Sequence, residues 1–139
     1  MKLVLDASMA LAWLFVRTNT KEAKCAERAL LAGADAEMLV PTLWHTEIMN
    51  ALLVGERHKA VTEAQVIDYL NRLYALPIIT DDTTPASRRD LVMGLAREHQ
   101  LTAYDATYLD LALRTNSVLA TFDIKLSAAM HRAGGVVFN

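Results

Sequence analysis

The 139-residue chain has one cysteine, three prolines and five glycines, and only 6% of its residues are aromatic. A lone Cys25 forms no intrachain disulfide and no zinc knuckle. With Lys24 and Glu27 beside it in a helical pattern, it reads as an ordinary thiol of a reducing compartment. Neither sign of charge dominates, since 14 lysines and arginines face 16 acids for a formal net charge of −2. A global basic field is therefore absent, and any nucleic acid has to be held by a local patch or a metal. There is also no long hydrophobic run. Met1-Lys2 opens an apolar stretch that Asp6 interrupts, leaving ten uncharged residues from Ala7 to Val16. That is short of the ~20 needed to cross a bilayer, and no small-residue cleavage site follows. The expectation is a soluble, cytoplasmic protein without a membrane partner.

What is present suits one folded domain over residues 1–139. Hydrophobic residues make up 53% and charged residues 22%, which excludes disorder, and a chain of this length can hide roughly two-thirds of its unfolded surface. Short apolar runs of strand type alternate with longer helical patterns. Strands are predicted at Leu3–Leu5, Met38–Val40, Ile78–Ile79, Val118–Thr121 and Val136–Phe138. Helices are predicted at Ser8–Phe15, Thr20–Ala32, Thr42–Val54, Thr62–Ala75, Pro85–His99, Ala103–Thr115 and Ile124–Ala133. Thr62-Glu63-Ala64-Gln65 reads as a capping box, Thr84-Pro85 as a cap before a first-turn proline, and Gly134-Gly135 as a helix stop. The strands are continuous apolar runs rather than alternating ones, the pattern of a parallel sheet covered on both faces. With right-handed crossovers this gives an α/β fold: a three-layer α/β/α sandwich around a five-stranded parallel sheet.

Four carboxylates stand out against the apolar pattern. Asp6 closes the first strand and Asp123 follows the fourth, and ligands of open α/β sheets bind beyond the carboxyl ends of strands. Glu47 shares a helical stripe with Leu43, Trp44, Asn50 and Ala51, where a lone charge is rarely tolerated. Asp105 opens a helix on the face of Tyr108, Leu109 and Ala112, in a first turn that favours negative charge. Asp110, about 140° around that helix, is expected to be solvated. Singly, each acid has a structural reading: Asp6 and Asp123 as helix caps, Asp105 as a first-turn acid, Glu47 as partner of a buried arginine. Together those readings need four coincidences. Convergence has its own cost, because two charges about 4 Å apart repel by ~4 kcal/mol at an effective dielectric near 20. Four acids need protonation or a cation, and hard oxygens without a histidine or cysteine cluster suit Mg²⁺ or Mn²⁺ rather than zinc. Such a site is built for phosphate chemistry.

LVLDAS at the start, E-x-x-N at Glu47–Asn50, YDATYLDLA at 104–112 and LATFD at 119–123 together resemble the PIN-domain ribonucleases, and among them the VapC-type toxins of bacterial toxin–antitoxin pairs. The resemblance spans essentially the whole chain in order and spacing. It implies that Asp6, Glu47, Asp105 and Asp123 form an acidic catalytic and metal-binding site. Asp6 and Asp105 would be principal ligands, Asp123 would complete the site directly or through water, and Glu47 would orient water or the other acids. Ser8 and Thr121 match small hydroxyl positions that line the site, and Asn50 a polar residue one turn beyond the glutamate. The implied activity is Mg²⁺- or Mn²⁺-dependent hydrolysis of RNA by a homodimer with a cognate antitoxin.

The remaining polar residues have a solvated face as their default reading. Arg17, Arg57, His58, Lys59, Arg88, Arg89, Arg114 and Lys125 are candidate RNA-backbone contacts, with Arg17 and Lys125 favoured because each follows a segment leaving an active strand end. Asp81-Asp82 reads as the turn into the Thr84-Pro85 helix. His45 reads as a surface or interface histidine, and His58, His99 and His131 lie near helix ends. Trp13, Phe15 and Trp44 are core or base-stacking aromatics, with a dimer interface open for Trp44. The apolar Ile48, Met49, Leu52 and Leu53 suit a partner surface. Two rival functions differ at single residues. A haloacid-dehalogenase-like phosphatase wants an acid where Ser8 stands, and a two-component receiver wants an acidic pair near the first strand and would use Asp81 as phosphoacceptor.

Overall fold

The computed structural model describes residues 1–139. Strand β1 (Lys2–Leu5) is followed by helices α1 (Ala7–Leu11) and α2 (Thr20–Ala32), strand β2 (Glu37–Val40), and helices α3 (Thr42–Arg57) and α4 (Glu63–Leu73). Strand β3 (Ile78–Thr80), helices α5 (Arg89–His99) and α6 (Ala103–Arg114), strand β4 (Val118–Ala120) and helix α7 (Ile124–Arg132) complete it. A 3-10 turn, Pro85–Arg88, leads into α5 and takes the first turn of the predicted Pro85–His99 helix. No helix is long and apolar enough to cross a membrane.

All strand pairs are parallel, in the order β3-β2-β1-β4. Successive side chains of a strand point to opposite faces, yet Leu3, Val4 and Leu5 are all buried. Both faces of the sheet are therefore covered by helices. The chain steps outward from β1 through β2 to β3, then returns to place β4 on the other side of β1. This reversal makes the β1–β4 junction the switch point of the sheet, where helices leave in opposite directions and open a crevice at the strand ends.

The fifth predicted strand does not form. Beyond α7, Gly134 adopts φ +83°, and the amide of Gly135 donates to the Met130 carbonyl to close the helix. The Val136–Phe138 segment then makes one parallel bridge, Val137 to Leu119, with two hydrogen bonds of 2.9 Å. Only Val137 comes into register with the three-residue β4, and Val136 is left exposed. The sheet has four strands. The first helix is also shorter than predicted: α1 ends at Leu11 and continues as tight turns, where the Trp13 indole donates to the Ala26 carbonyl at 2.9 Å.

Local signals account for the helix starts. Thr62 and Gln65 make the reciprocal bonds of a capping box, and Asn19, Thr102 and Asp123 each accept from a first-turn amide. Trp44 is fully buried with Ile48 and Leu52, which removes it from any interface, while Met49 and Leu53 on the same helix are half exposed.

Asp110 is not solvated. It is buried at 5% exposure and accepts a two-pronged bond from Arg88, Nη2 to Oδ1 at 2.7 Å and Nε to Oδ2 at 3.0 Å. Arg114, one turn on, approaches it at 3.4 Å and also pairs with Asp81 beyond β3. Amphipathic spacing alone sends Asp110 to the surface, but the 3-10 turn brings an arginine fork over that face. Arg88 and Arg114 are thereby paired within the protein. Asp81 also accepts from Thr83, in the turn predicted for it.

Candidate active site

Four elements deliver four acids to the crevice at the β1–β4 switch. Asp6 stands between β1 and α1, Asp123 between β4 and α7, Glu47 in the second turn of α3, and Asp105 in the first turn of α6. All four line one open cleft of about 490 Å³, whose walls also include Ser8, Arg17, Asn50 and Phe122.

The Asp6 carboxylate is held by hydroxyls. Ser8 Oγ and Thr121 Oγ1 both donate to Oδ2, each at 2.6 Å. The hydroxyls are themselves set by backbone amides, because Phe122 N–H donates to Ser8 Oγ and Asp123 N–H donates to Thr121 Oγ1, both at 3.0 Å. This chain of bonds ties the β1–α1 corner to the β4–α7 corner and fixes Asp6 relative to Asp123. Asp123 meanwhile caps α7 by accepting from Leu126 N–H at 2.8 Å. Its cap geometry and its place on the cleft wall are thus compatible.

Glu47 is held from below. The phenol of the fully buried Tyr108 donates to Glu47 Oε1 at 2.6 Å. Tyr108 is three residues from Asp105 on the same face of α6, so one helix both presents an acid and anchors another. Sequence reasoning gave Tyr108 only a packing role. The signal available was the Y-D-A-T-Y spacing, which puts a hydroxyl one turn beneath the aspartate.

Burial and mutual repulsion raise three of these carboxyls above their ordinary range. For Asp6 burial dominates, opposed by the Ser8 and Thr121 bonds, with a smaller push from Asp123. For Glu47 burial again leads, opposed by Tyr108, and Asp6 and Asp105 add to the rise. Asp105 is raised by burial, then by Asp123 and Asp6. Each of these three therefore feels at least one other acid, as convergence requires. Tyr108 itself is pushed far above the phenol range by burial and by the Asp6 and Glu47 charges, so it is a permanent donor.

The other predicted residues are placed as follows. Ser8 and Asn50 line the cleft, whereas Thr121 is buried behind Asp6 and reaches the site only through its hydroxyl. Arg17 lines the cleft, but its guanidinium donates twice to Glu22, at 2.7 and 2.9 Å, and lies 4.6 Å above the Phe122 ring. Lys125 is exposed near the start of α7 and does not line the cleft. His45 bridges Tyr74 and Thr80 through its two ring nitrogens at 2.7 and 2.8 Å, tying α3 to the end of α4 and to β3.

The donors available to a metal are hard carboxylate oxygens, but no three acidic, histidine or cysteine side chains close into a ligand cluster by themselves. The arrangement fits an ion held by one or two carboxylates with water filling its other positions. Mg²⁺ is commonly bound this way, and a closed zinc cage is not.

A family model described as PIN domain matches residues 3–131. A search of curated proteins returned no match. Among solved structures, the chain is similar to PAE2754 from Pyrobaculum aerophilum at 25% identity and TM-score 0.68, covering 93% of this chain and 87% of that one. It is similar to FitAcB from Neisseria gonorrhoeae at 17% identity and TM-score 0.64, covering 100% and 97%. A third similar structure is VapBC2 from Rickettsia felis bound to a DNA fragment from their promoter, at 15% identity and TM-score 0.66, covering 100% and 98%. With its family match running from the first strand into the last helix, the chain belongs to the PIN-domain family.

Proposed function

We propose that the chain is a Mg²⁺- or Mn²⁺-dependent endoribonuclease, the toxin of a VapBC-type pair, acting in the cytoplasm as a homodimer and neutralised by a cognate antitoxin. The observation that carries this reading is the joint presence of Asp6, Glu47, Asp105 and Asp123 on one cleft at the sheet's switch point. PIN domains are typically metal-dependent nucleases, and the family match spans the stretch that carries all four acids. The half-exposed Met49 and Leu53 on α3 support a partner surface.

Asp6 and Asp105 are the principal ligands in this reading, with Asp123 completing the site directly or through water. A Mg²⁺ or Mn²⁺ ion held there would supply an activated water and offset charge developing on the phosphate. The Ser8 and Thr121 hydroxyls keep the Asp6 carboxylate oriented by occupying one of its oxygens. Glu47, steadied by Tyr108, would orient a water for in-line attack on the phosphodiester, and no covalent intermediate with the protein is needed. Rival readings lose their key residues. Ser8 donates to Asp6 where a phosphatase needs a general acid, and Asp81 is bound to Arg114 where a receiver needs a free phosphoacceptor.

The test is cleavage of total RNA with Mg²⁺ or Mn²⁺ by the parent, by Asp6→Asn and Asp105→Asn, and by the parent in EDTA. Discrete fragments that disappear in the variants and in EDTA are expected. Folded variants that cut as fast as the parent would sink the reading.

A further inference from the structure

The acidic cleft poses a problem for a polyanionic substrate. A cation neutralises charge at the reacting phosphate, but the flanking phosphates still meet four carboxylates in a chain of net charge −2. Affinity for a strand therefore has to come from positive surface contiguous with the cleft.

Such a surface adjoins it. A larger groove of about 730 Å³ runs between α2, α7 and the C-terminal segment. Phe122 lines both it and the cleft, and Glu22 on its wall is bound by Arg17 of the cleft, so the two hollows meet there. From α2 the groove receives Lys21, Lys24 and Arg28, spaced at i, i+3 and i+7, a single helical stripe about 10 Å long. His131 adds an imidazole from α7, and Arg28 Nε donates to the Asn139 carbonyl across the far end. The one acidic side chain on the wall, Glu22, is already bound by Arg17. At the threshold, the Arg17 guanidinium on the cleft wall rests on the ring of Phe122, the side chain that both hollows share.

We propose that this groove carries the sugar-phosphate backbone of single-stranded RNA leaving the cleft, with Lys21, Lys24 and Arg28 on successive phosphates and Phe122 with Arg17 as the stacking threshold. A basic groove that tracks the backbone beside an aromatic platform is how proteins hold single strands without sequence preference. This assignment rests on the ribonuclease reading and adds the route by which substrate reaches it.

The experiment is binding of a fluorescein-labelled single-stranded RNA, by anisotropy in EDTA across a salt series. It compares the parent, Lys21→Ala/Lys24→Ala/Arg28→Ala, the matching triple glutamine variant, and an Arg72→Ala/Arg97→Ala control whose residues line neither hollow. Both triple variants should bind at least about tenfold more weakly, with the slope of log K against log salt flattened by about 2, the share of three phosphate contacts on a single strand. The control should retain most of the parent affinity. An unchanged slope in the triple variants, or an equal loss in the control, overturns the groove. So does retained RNA affinity with lost binding of an acidic peptide such as polyglutamate, which would assign the stripe to a protein partner. Cleavage with Mn²⁺, measured alongside, separates the two readings: a cutting parent with indifferent triple variants removes the groove alone, whereas a parent that neither binds nor cuts RNA removes both.

Discussion

Tyr108 on α6 donates its phenol proton to Glu47 on α3 at 2.6 Å, a bond between residues 61 apart in sequence. It is the direct tie between the two helices that supply acids to the cleft wall. Phenylalanine in place of Tyr108 fills nearly the same volume, so the change isolates the hydrogen bond. Tyr108→Phe should cost about 1 kcal/mol of stability and lower kcat for RNA cleavage by about tenfold, with KM little altered, because Glu47 is left free to rotate. Thermal melts and initial rates on one RNA substrate check both. A kcat equal to the parent's would mean that the bond only packs α6 against α3.

Stability of the metal-free protein should fall as pH rises. Asp6, Glu47 and Asp105 all have folded pKa values above their ordinary ones of 3.8, 4.5 and 3.8. Between the unfolded and folded values the native state holds more protons than the unfolded chain. Unfolding free energy therefore declines as pH climbs from the ordinary carboxylate range through the raised values. The melting temperature in EDTA should fall as pH is raised above the ordinary carboxylate range, and Mg²⁺ should restore part of the loss. Asp6→Asn keeps an oxygen to accept from Ser8 and Thr121 while removing the charge. It should raise the metal-free melting temperature at neutral pH by several degrees, on a scale of ~3–4 °C per ~1 kcal/mol, and flatten the pH dependence.

Which parts of this molecule were legible beforehand follows from the range of the interactions. Local signals were reliable: Thr62-Glu63-Ala64-Gln65 caps α4, the continuous apolar runs are parallel strands, and Gly134-Gly135 stops α7. The four acids were legible because each breaks a local pattern, a charge at a strand end or on an apolar stripe. Asp110 was misread because helical periodicity describes one helix at a time. Nothing within α6 announces that Arg88, 22 residues away, will cover its outer face. The fifth strand failed for a related reason. An apolar Val136–Phe138 run announces strand propensity, but pairing needs register with β4, and only Val137 reaches it. The basic groove was hidden for the same cause, since Lys21, Lys24 and Arg28 look solvated until α7 and the chain end form the opposite wall.

The hydroxyl chain at Asp6 predicts different penalties for its two links. Thr121→Val is close to isosteric in a buried site, and it removes one donor to Asp6 and the acceptor for Asp123 N–H. It should cost about 1–3 kcal/mol, the range for stranding a buried polar group. Thr121→Ser keeps the hydroxyl and should recover most of that loss. Ser8→Ala leaves Phe122 N–H without its partner but lies on the open cleft, where water can replace the hydroxyl, so a penalty of about 1 kcal/mol or less is expected. Urea melts of the three variants rank them. A Ser8→Ala loss exceeding that of Thr121→Val would contradict the assignment of Thr121 as the buried link.

Asp110 supplies the corresponding test away from the cleft. Its carboxylate is buried at 5% exposure and receives the Arg88 fork and the approach of Arg114, which also reaches Asp81. Removing one partner of a buried pair costs more than the pair contributes, because the remaining charge keeps its desolvation without its counter-charge. Both arginines, however, keep part of their side chains in water, so the loss should fall below the usual range for buried pairs, at about 2 kcal/mol for Asp110→Ala. Asp110→Asn retains acceptor capacity on one oxygen and should lose about half as much. Because the network fastens the turn before α5 to α6 and β3 rather than touching the acids, both variants should cleave RNA at parental rates well below their melting temperatures. A large loss of activity with the fold intact would instead mean that α6 must be held rigidly from this side for Asp105 to stand where the chemistry needs it.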